Sequence, residues 1–128
     1  MSGYFDVRKD SPIERKAQKA YVETLLADLL PPLRMAARGC GYAIAVHGSL
    51  CRDIDLIAIP WTENADDEKL LVDRLVGVIA GQLGRASAQD WKDMPHGRRA
   101  VLIYHAGHGA EIDLSVMPPR PRSPGDKQ

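Results

Sequence analysis

Cysteine, long apolar runs and an excess of charge of either sign are scarce in this sequence of 128 residues. The two cysteines, Cys40 and Cys51, lack the CxxC spacing of redox and metal sites, and free thiols are typical of a reducing compartment. The apolar segment 25–33 is interrupted by an aspartate and two prolines, so it is too short to span a membrane. Residues 1–10 are polar and lack the apolar segment of a secretory signal. We therefore expect a cytoplasmic protein with no membrane partner.

The charge balance and the size limit the function classes further. Lysine plus arginine number 17, as do aspartate plus glutamate, so the formal net charge is zero and we expect no broad surface for nucleic acid. A chain of this length with 45% hydrophobic residues supports one compact core. We predict a single domain over residues 1–117 and a disordered, proline-rich tail over residues 118–128.

Two stretches have the spacing of amphipathic helices. The first, 12–30, begins with a capping box formed by Ser11 and Glu14, and its apolar residues recur every three or four positions. Two consecutive prolines at 31 and 32 are expected to end or sharply kink this helix, which leaves a short second helix over 33–38. The other stretch follows Asn64, a predicted N-cap, and continues to a closing glycine at position 84.

Strand patterns surround these helices. Residues 42–47 predict one strand, and the apolar residues 56–59 predict a second, central strand that is covered on both faces. Two more strands are predicted over 100–105 and 111–117, after a long loop that contains Trp91. Together the elements predict an α+β fold of two layers, in which a mixed sheet of about four strands packs against two to three helices.

Two pairs of acids stand at the beginnings of two predicted strands. Asp53 and Asp55 are two residues apart and therefore point to the same face, and Glu111 and Asp113 repeat this arrangement. Like charges held beside an apolar strand are costly unless a cation lies between them. If the two strands are neighbours, the acids converge at one edge of the sheet and suit two magnesium or manganese ions roughly 3.5 to 4 Å apart.

A candidate phosphate site lies just upstream of the first acid pair. Gly48 and Ser49 follow the first predicted strand and offer a glycine backbone and a hydroxyl to a closely approaching phosphate. Arg52 fits two roles equally well: it supplies positive charge to the phosphate, or it pairs with the neighbouring aspartates.

These residues together resemble a known family. Gly48 and Ser49, then Asp53 and Asp55 in a strand, then an acid in a later strand are similar to the nucleotidyltransferase superfamily of polymerase-beta type, especially its minimal prokaryotic members. The resemblance covers residues 42–61 well and 101–117 loosely, and the chain also resembles short proteins of phage and prophage genomes.

The resemblance implies a role for each matched residue. Gly48 and Ser49 would hold the phosphates of a nucleoside triphosphate, and Asp53 and Asp55 would bind both metal ions. The third acid, which helps to activate the acceptor hydroxyl, is assigned to Asp113, with Glu111 as the competing assignment and a further metal-ligand candidate.

Three functions are compatible with these observations. The first is transfer of a nucleoside monophosphate from a triphosphate to a hydroxyl on a protein, small molecule or RNA. The second is a non-catalytic binding or regulatory protein of the same fold, antitoxin-like, with a protein partner; it is suggested by the three residues 50–52 between the Gly-Ser pair and the first acid, a shorter segment than family members usually have. The third is a metal hydrolase built around His105, His108, Glu111 and Asp113.

Overall fold

The computed structural model describes residues 11–48, 53–106 and 111–119. These residues form two helices, five strands and one short 3-10 turn, Pro95–Gly97. The elements in chain order are α1 (Pro12–Gly39), β1 (Tyr42–His47), β2 (Ile54–Pro60), α2 (Glu68–Leu83), β3 (Ala86–Asp93), β4 (Arg99–His105) and β5 (Ile112–Val116). The architecture is α+β, as predicted, with five strands where about four were expected. Of the tail predicted over 118–128, only residues 118 and 119 belong to the described part.

The five strands form one mixed sheet in the order β1-β2-β5-β4-β3. β2 and β5 are parallel, while β1 pairs with β2, β4 with β5 and β3 with β4 in antiparallel fashion. The central position predicted for β2 is confirmed, because it lies between β1 and β5. The sheet leaves β1 and β3 as its edge strands. At the outer edge of β1, Arg34 Nε donates a hydrogen bond to the carbonyl oxygen of Ile44 at 3.2 Å.

The hydrophobic core lies between one face of the sheet and the two helices. Alternate strand residues point into it, among them Ile54, Leu56, Ile112 and Leu114, and none of these is more than 2% exposed. The opposite face is not covered by a helix in the described part of the chain, and the side chain of Ile59 on that face is 43% exposed. The prediction that β2 is covered on both faces is therefore wrong: apolar residues at consecutive positions do not require two covering layers, since many surface atoms are apolar.

α1 is a single helix of 28 residues that continues through both prolines. Its start agrees with the prediction, because the Ser11 hydroxyl accepts a hydrogen bond from the backbone N–H of Glu14 at 3.4 Å. The predicted end near residue 30 and the separate helix over 33–38 are wrong. Leu29 and Leu33, on either side of the prolines, are both buried in the same core and hold the two halves in line. The carbonyls that lose their donors belong to residues 27 and 28, which are exposed, so water can bind them.

α2 begins later than the sequence indicated. Its N-cap is Asp67, whose Oδ1 accepts a hydrogen bond from the N–H of Leu70 at 2.9 Å. The predicted cap, Asn64, instead lies in a turn in which its N–H donates to the Thr62 hydroxyl at 3.3 Å. Gly84 ends the helix as predicted, with φ of 94°.

β3 occupies most of the segment that was predicted to be a long loop. Its pairing with β4 shifts between Gln89 and Lys92, and Asp90 within this bulge has φ of 61°. The bulge breaks the alternation of inward and outward side chains, so no strand pattern is visible in the sequence. Within the bulge, Trp91 packs against the core, with the Arg99 guanidinium 4.8 Å from its ring centroid.

Neither α1 nor α2, the helices of the described residues, combines the length and the apolar character that crossing a membrane requires.

Candidate active site

Three strands bring polar side chains together at one end of the sheet. His47, the last residue of β1, lies opposite Asp55 of β2, and Asp55 lies opposite Asp113 of the parallel strand β5. Neighbouring strands are about 4.8 Å apart, so the three side chains form a row. Asp55 alternates with the buried residues Ile54 and Leu56, which places this row on the face that the helices leave uncovered.

The other two predicted acids stand just before their strands. Asp53 precedes β2 and Glu111 precedes β5, and both are exposed. A backbone hydrogen bond holds the two positions close together. The N–H of Ile54, the residue after Asp53, donates to the carbonyl of Glu111 at 3.0 Å. β2 and β5 are thus neighbours, which is the condition under which the two acid pairs were expected to share one edge. The metal-binding and catalytic roles of these acids stay predictions.

The surroundings of Asp55 disfavour a negative charge on its carboxyl. Burial raises the pKa of its carboxyl above the ordinary value, the charge of Asp113 raises it further, His47 opposes this effect, and Asp53 adds a smaller increase. A negative charge on Asp55, next to that of Asp113, is therefore costly. A cation bound between Asp55 and Asp113 would remove this cost.

The two candidates for the third acid act on different neighbours. Burial and then the charge of Asp113 raise the pKa of Asp55. The hydrogen bond to Asp90 is the main cause of the raised pKa of Tyr104 on β4, and the charge of Glu111 is the smallest one. The parallel register also places Asp113, and not Glu111, level with Asp55. Asp113 is therefore the acid that the fold brings to the Asp55 carboxylate.

Gly48 brings the main chain against the same carboxylate. It follows β1 with φ of 89°, a conformation that residues with a side chain rarely adopt, and a Cβ at this position would collide with Asp55 Oδ2. The backbone of Gly48 thus lies beside Asp55, as a phosphate cradle next to a metal ligand would require. Ser49 and Arg52 lie outside the described residues, so their contacts with a phosphate stay predictions.

The row offers carboxylate oxygens, which are the ligands that magnesium and manganese prefer. Among the described residues, no three or more His, Cys, Asp or Glu side chains are grouped closely enough to hold a metal ion. Mg²⁺ is usually bound by one or two carboxylates, and waters and substrate phosphates complete its coordination. Asp55 and Asp113, with Asp53 exposed beside them, supply the oxygen ligands that such an ion prefers.

The register does not favour the alternative hydrolase site. Ile103 of β4 lies opposite Ile112, and Leu102 lies opposite Asp113. His105 therefore shares a face with Ile103, on the helix side of the sheet, while Asp113 points to the other side. His108, the remaining member of that set, lies outside the described residues.

Tyr104 is a polar neighbour of the site that the sequence analysis missed. Its hydroxyl donates a hydrogen bond to Asp90 Oδ2 at 2.6 Å, which, with smaller contributions from burial and from the charges of Asp90 and Glu111, raises the pKa of the phenol to about 12. Tyr104 lies on the same face as Asp113, since it is two residues along β4 from Leu102. The sequence gives no indication of this contact, because Asp90 lies in the bulge of β3 and the bulge cannot be recognised from the sequence.

Comparison with known proteins gives only distant similarities. No protein-family model matches the chain, and no curated protein matches it either. Among solved structures, terminal uridylyl transferase 4 from Trypanosoma brucei with bound dUTP is similar at 13% identity, over 77% of this chain and 35% of that chain, with a TM-score of 0.48. The same transferase with bound CTP is similar at 14% identity, over 76% of this chain and 35% of that chain, with a TM-score of 0.47. This chain therefore spans about a third of the transferase's length.

Proposed function

We propose that this protein is a metal-dependent nucleotidyltransferase that moves a nucleoside monophosphate from a nucleoside triphosphate to a hydroxyl group. The observation that carries the proposal is the pairing of Asp55 with Asp113 across two parallel strands, with the Gly48 backbone against the Asp55 carboxylate. Two adjacent carboxylates and a glycine backbone are a suitable site for a divalent ion and the phosphates that it binds.

Each residue has a defined part in this reaction. Asp55 and Asp113, with Asp53 beside them, would hold magnesium or manganese, and Gly48 and Ser49, with Arg52, would hold the triphosphate. A bound divalent ion would lower the pKa of the acceptor hydroxyl and offset the charge of the leaving pyrophosphate.

The chemistry is a substitution at the α-phosphorus. The acceptor oxygen forms a bond to this phosphorus, the bond to the bridging oxygen breaks, and pyrophosphate leaves. Asp113 takes the proton of the acceptor hydroxyl. We assign this part to Asp113 and not to Glu111 because Asp113 lies level with Asp55.

Calorimetric titration tests the proposal directly. Each of the four nucleoside triphosphates is titrated into the protein with magnesium or manganese, and then with chelator. We expect one triphosphate to bind in a metal-dependent manner. In Asp55→Asn/Asp113→Asn its affinity falls by at least roughly tenfold, since the loss of an outer-shell partner of a metal alone costs that much.

A matched variant controls for the change in charge. Asp28→Asn/Asp73→Asn removes two exposed carboxylates from α1 and α2 and is expected to bind the triphosphate like the wild type. If the folded wild-type protein binds no triphosphate with either metal, the transferase proposal is wrong. The non-catalytic binding protein of the same fold is then the better description.

A further inference from the structure

A groove lies at the outer edge of β1, at the end of the sheet that is far from the acids. Its volume is about 400 Å³, and the residues that line it come from α1, from β1 and from the position after β2: Arg34, Arg38, Tyr42, Ala43, Ile44 and Trp61. Trp61 follows Asp55 by six residues along β2, so roughly 20 Å separate the groove from the row of acids. A small molecule bound in this groove therefore does not reach the candidate active site.

Two arginines of α1 stand beside the groove. Arg34 and Arg38 are four residues apart, so they lie on one side of the helix, one turn from each other. The hydrogen bond from Arg34 Nε to the Ile44 carbonyl at 3.2 Å holds the first of them against the strand. Both side chains are exposed, and no carboxylate in the described part of the chain forms an ion pair with either. The two guanidinium groups therefore offer donors to an anion from outside the chain.

Trp61 adds an aromatic ring to the same groove. Its side chain is 60% exposed, although a tryptophan is usually largely buried. Its backbone N–H donates to the carbonyl of Gly41 at 3.0 Å, which holds the residue beside the start of β1. Within the described residues, no cation and no second aromatic ring lies over the indole. The ring is thus available for stacking with a planar group.

The remaining surface of the groove is mostly apolar. Tyr42 and Ile44 are buried residues of β1, and the Tyr42 hydroxyl already donates a hydrogen bond to the carbonyl of Asp66 at 2.7 Å. A concave, mainly apolar surface with a few charged groups, in this range of volumes, is typical of small-molecule sites.

We propose that this groove binds a small phosphorylated compound with a planar ring, such as a nucleoside monophosphate. The phosphate lies against Arg34 and Arg38, because guanidinium groups bind phosphate oxygens in pairs, and the ring stacks on Trp61. A stable protein partner would need roughly 800 Å² of surface on this chain, which is more than one groove of this size offers. The site is separate from the acids and does not depend on the proposed reaction.

The indole N–H signals of the isotope-labelled protein test where the ligand binds. The chain has two tryptophans, and Trp91 packs against the core, so the two signals report on different places. AMP is titrated into the protein in chelator, and a proton–nitrogen correlation spectrum is recorded at each step. We expect the signal of Trp61, identified by its loss in Trp61→Leu, to shift, and the signal of Trp91 to stay in place.

The two parts of the ligand are tested separately by calorimetry. Adenosine keeps only the ring, and inorganic phosphate keeps only the charged group. We expect each to bind at least roughly tenfold more weakly than AMP, because stacking and the arginine–phosphate contact each contribute about that factor or more. Inorganic phosphate that binds as tightly as AMP would contradict the stacking on Trp61.

Variants of single residues identify the contacts. Arg38→Gln removes one guanidinium and leaves the hydrogen bond from Arg34 to Ile44 intact, and we expect it to lower the affinity for AMP at least roughly tenfold. Trp61→Leu is expected to have an effect of similar size. Arg15→Gln, at an exposed position near the other end of α1, is the matched control and is expected to bind AMP like the wild type.

Four results would overturn the proposal. In the first, AMP leaves the Trp61 signal unchanged; in the second, Arg38→Gln and Trp61→Leu both bind AMP as tightly as the wild type. In the third, binding is lost in Asp55→Asn/Asp113→Asn, which would mean that AMP binds at the acids. In the fourth, a peptide of glutamate and leucine shifts the Trp61 signal and AMP does not, which would identify a docking surface for an acidic protein.

The outcome is distinguishable from that of the proposed function. Metal-dependent triphosphate binding is assigned to Asp55 and Asp113, so it is expected to persist in Arg38→Gln whether or not AMP binds in the groove. Conversely, AMP that binds in chelator through Arg38 and Trp61 supports the groove even if no triphosphate binds with either metal.

Discussion

Asp55 carries a charge that its surroundings disfavour, and this has a consequence for stability. The pKa of its carboxyl is raised in the folded protein by burial and by Asp113. The folded state therefore binds the proton more tightly than the unfolded state, so this group favours folding at low pH, and the contribution is lost as the pH rises through the raised pKa. Ionised Asp55 is retained at a cost in stability, as functional sites often are.

We expect Asp55→Asn to be more stable than the wild type at neutral pH in the presence of chelator. The amide removes the repulsion from Asp113, and partial exposure limits the gain to roughly 1 to 3 °C in Tm. Circular dichroism melts between about pH 4 and 8 check this, and the difference should shrink as the pH falls and the wild-type carboxyl is protonated. A lower Tm for the variant at neutral pH would show that Asp55 has a favourable partner in the folded state.

Gly48 is the residue whose replacement should most directly disturb the site. In Gly48→Ala the new Cβ meets the Asp55 carboxylate at a φ of 89°. We expect a loss of about 1 to 3 kcal/mol in the free energy of unfolding, from backbone strain and displacement of Asp55. Urea denaturation measures the loss.

Gly77 provides the matched control for this substitution. It lies within α2, and no atom is within 4 Å of a Cβ built there. Gly77→Ala is therefore expected to stabilise the protein by about 0.5 to 1 kcal/mol, through helix propensity alone. Equal effects of the two substitutions would contradict the close approach of Gly48 to Asp55.

At the scale of secondary-structure elements, α1 contains two prolines that its packing tolerates. Each proline leaves one helical carbonyl without its donor, and restoring the N–H groups should increase the stability of the helix. We expect Pro31→Ala/Pro32→Ala to raise the free energy of unfolding by about 2 kcal/mol or more in urea denaturation. Glu23→Ala, at an exposed position of the same helix, should stay within about 0.5 kcal/mol of the wild type. A loss of stability in the proline variant would mean that the prolines set a bend that the core requires.

The elements differ in how far the sequence could predict them. Ser11 and Glu14 specify the start of α1 through local hydrogen bonding, and Gly84 specifies the end of α2 in the same way. β3 depends on distant contacts instead. The Arg99 guanidinium pairs with Glu68 of α2 at 2.7 Å and stacks over Trp91 of β3, which fixes the strand against the helix. Contacts between residues so far apart in the chain leave no local pattern to recognise.

For the whole molecule, the class of fold and the end of the sheet that holds the acids were predictable, whereas the alignment of the acids was not. The spacing of Asp53 and Asp55 fixes their common face, because strand side chains alternate. Which acid of the later strand lies level with Asp55 depends on the register of β2 with β5. The segment that joins these two strands includes α2, β3 and β4, so their register is set by the packing of the entire domain.

The hydrogen bond from Arg34 to Ile44 has a consequence for how copies of this protein behave at high concentration. β1 is an edge strand, and an edge strand with free backbone groups invites a strand of another molecule to pair with it. The Arg34 side chain donates a hydrogen bond to one of those backbone carbonyls, and the bulge at Asp90 distorts the opposite edge strand, β3. Both edges of the sheet are thus less suited to the edge-to-edge pairing that leads to fibrils, even though no helix of the described residues covers one face of the sheet.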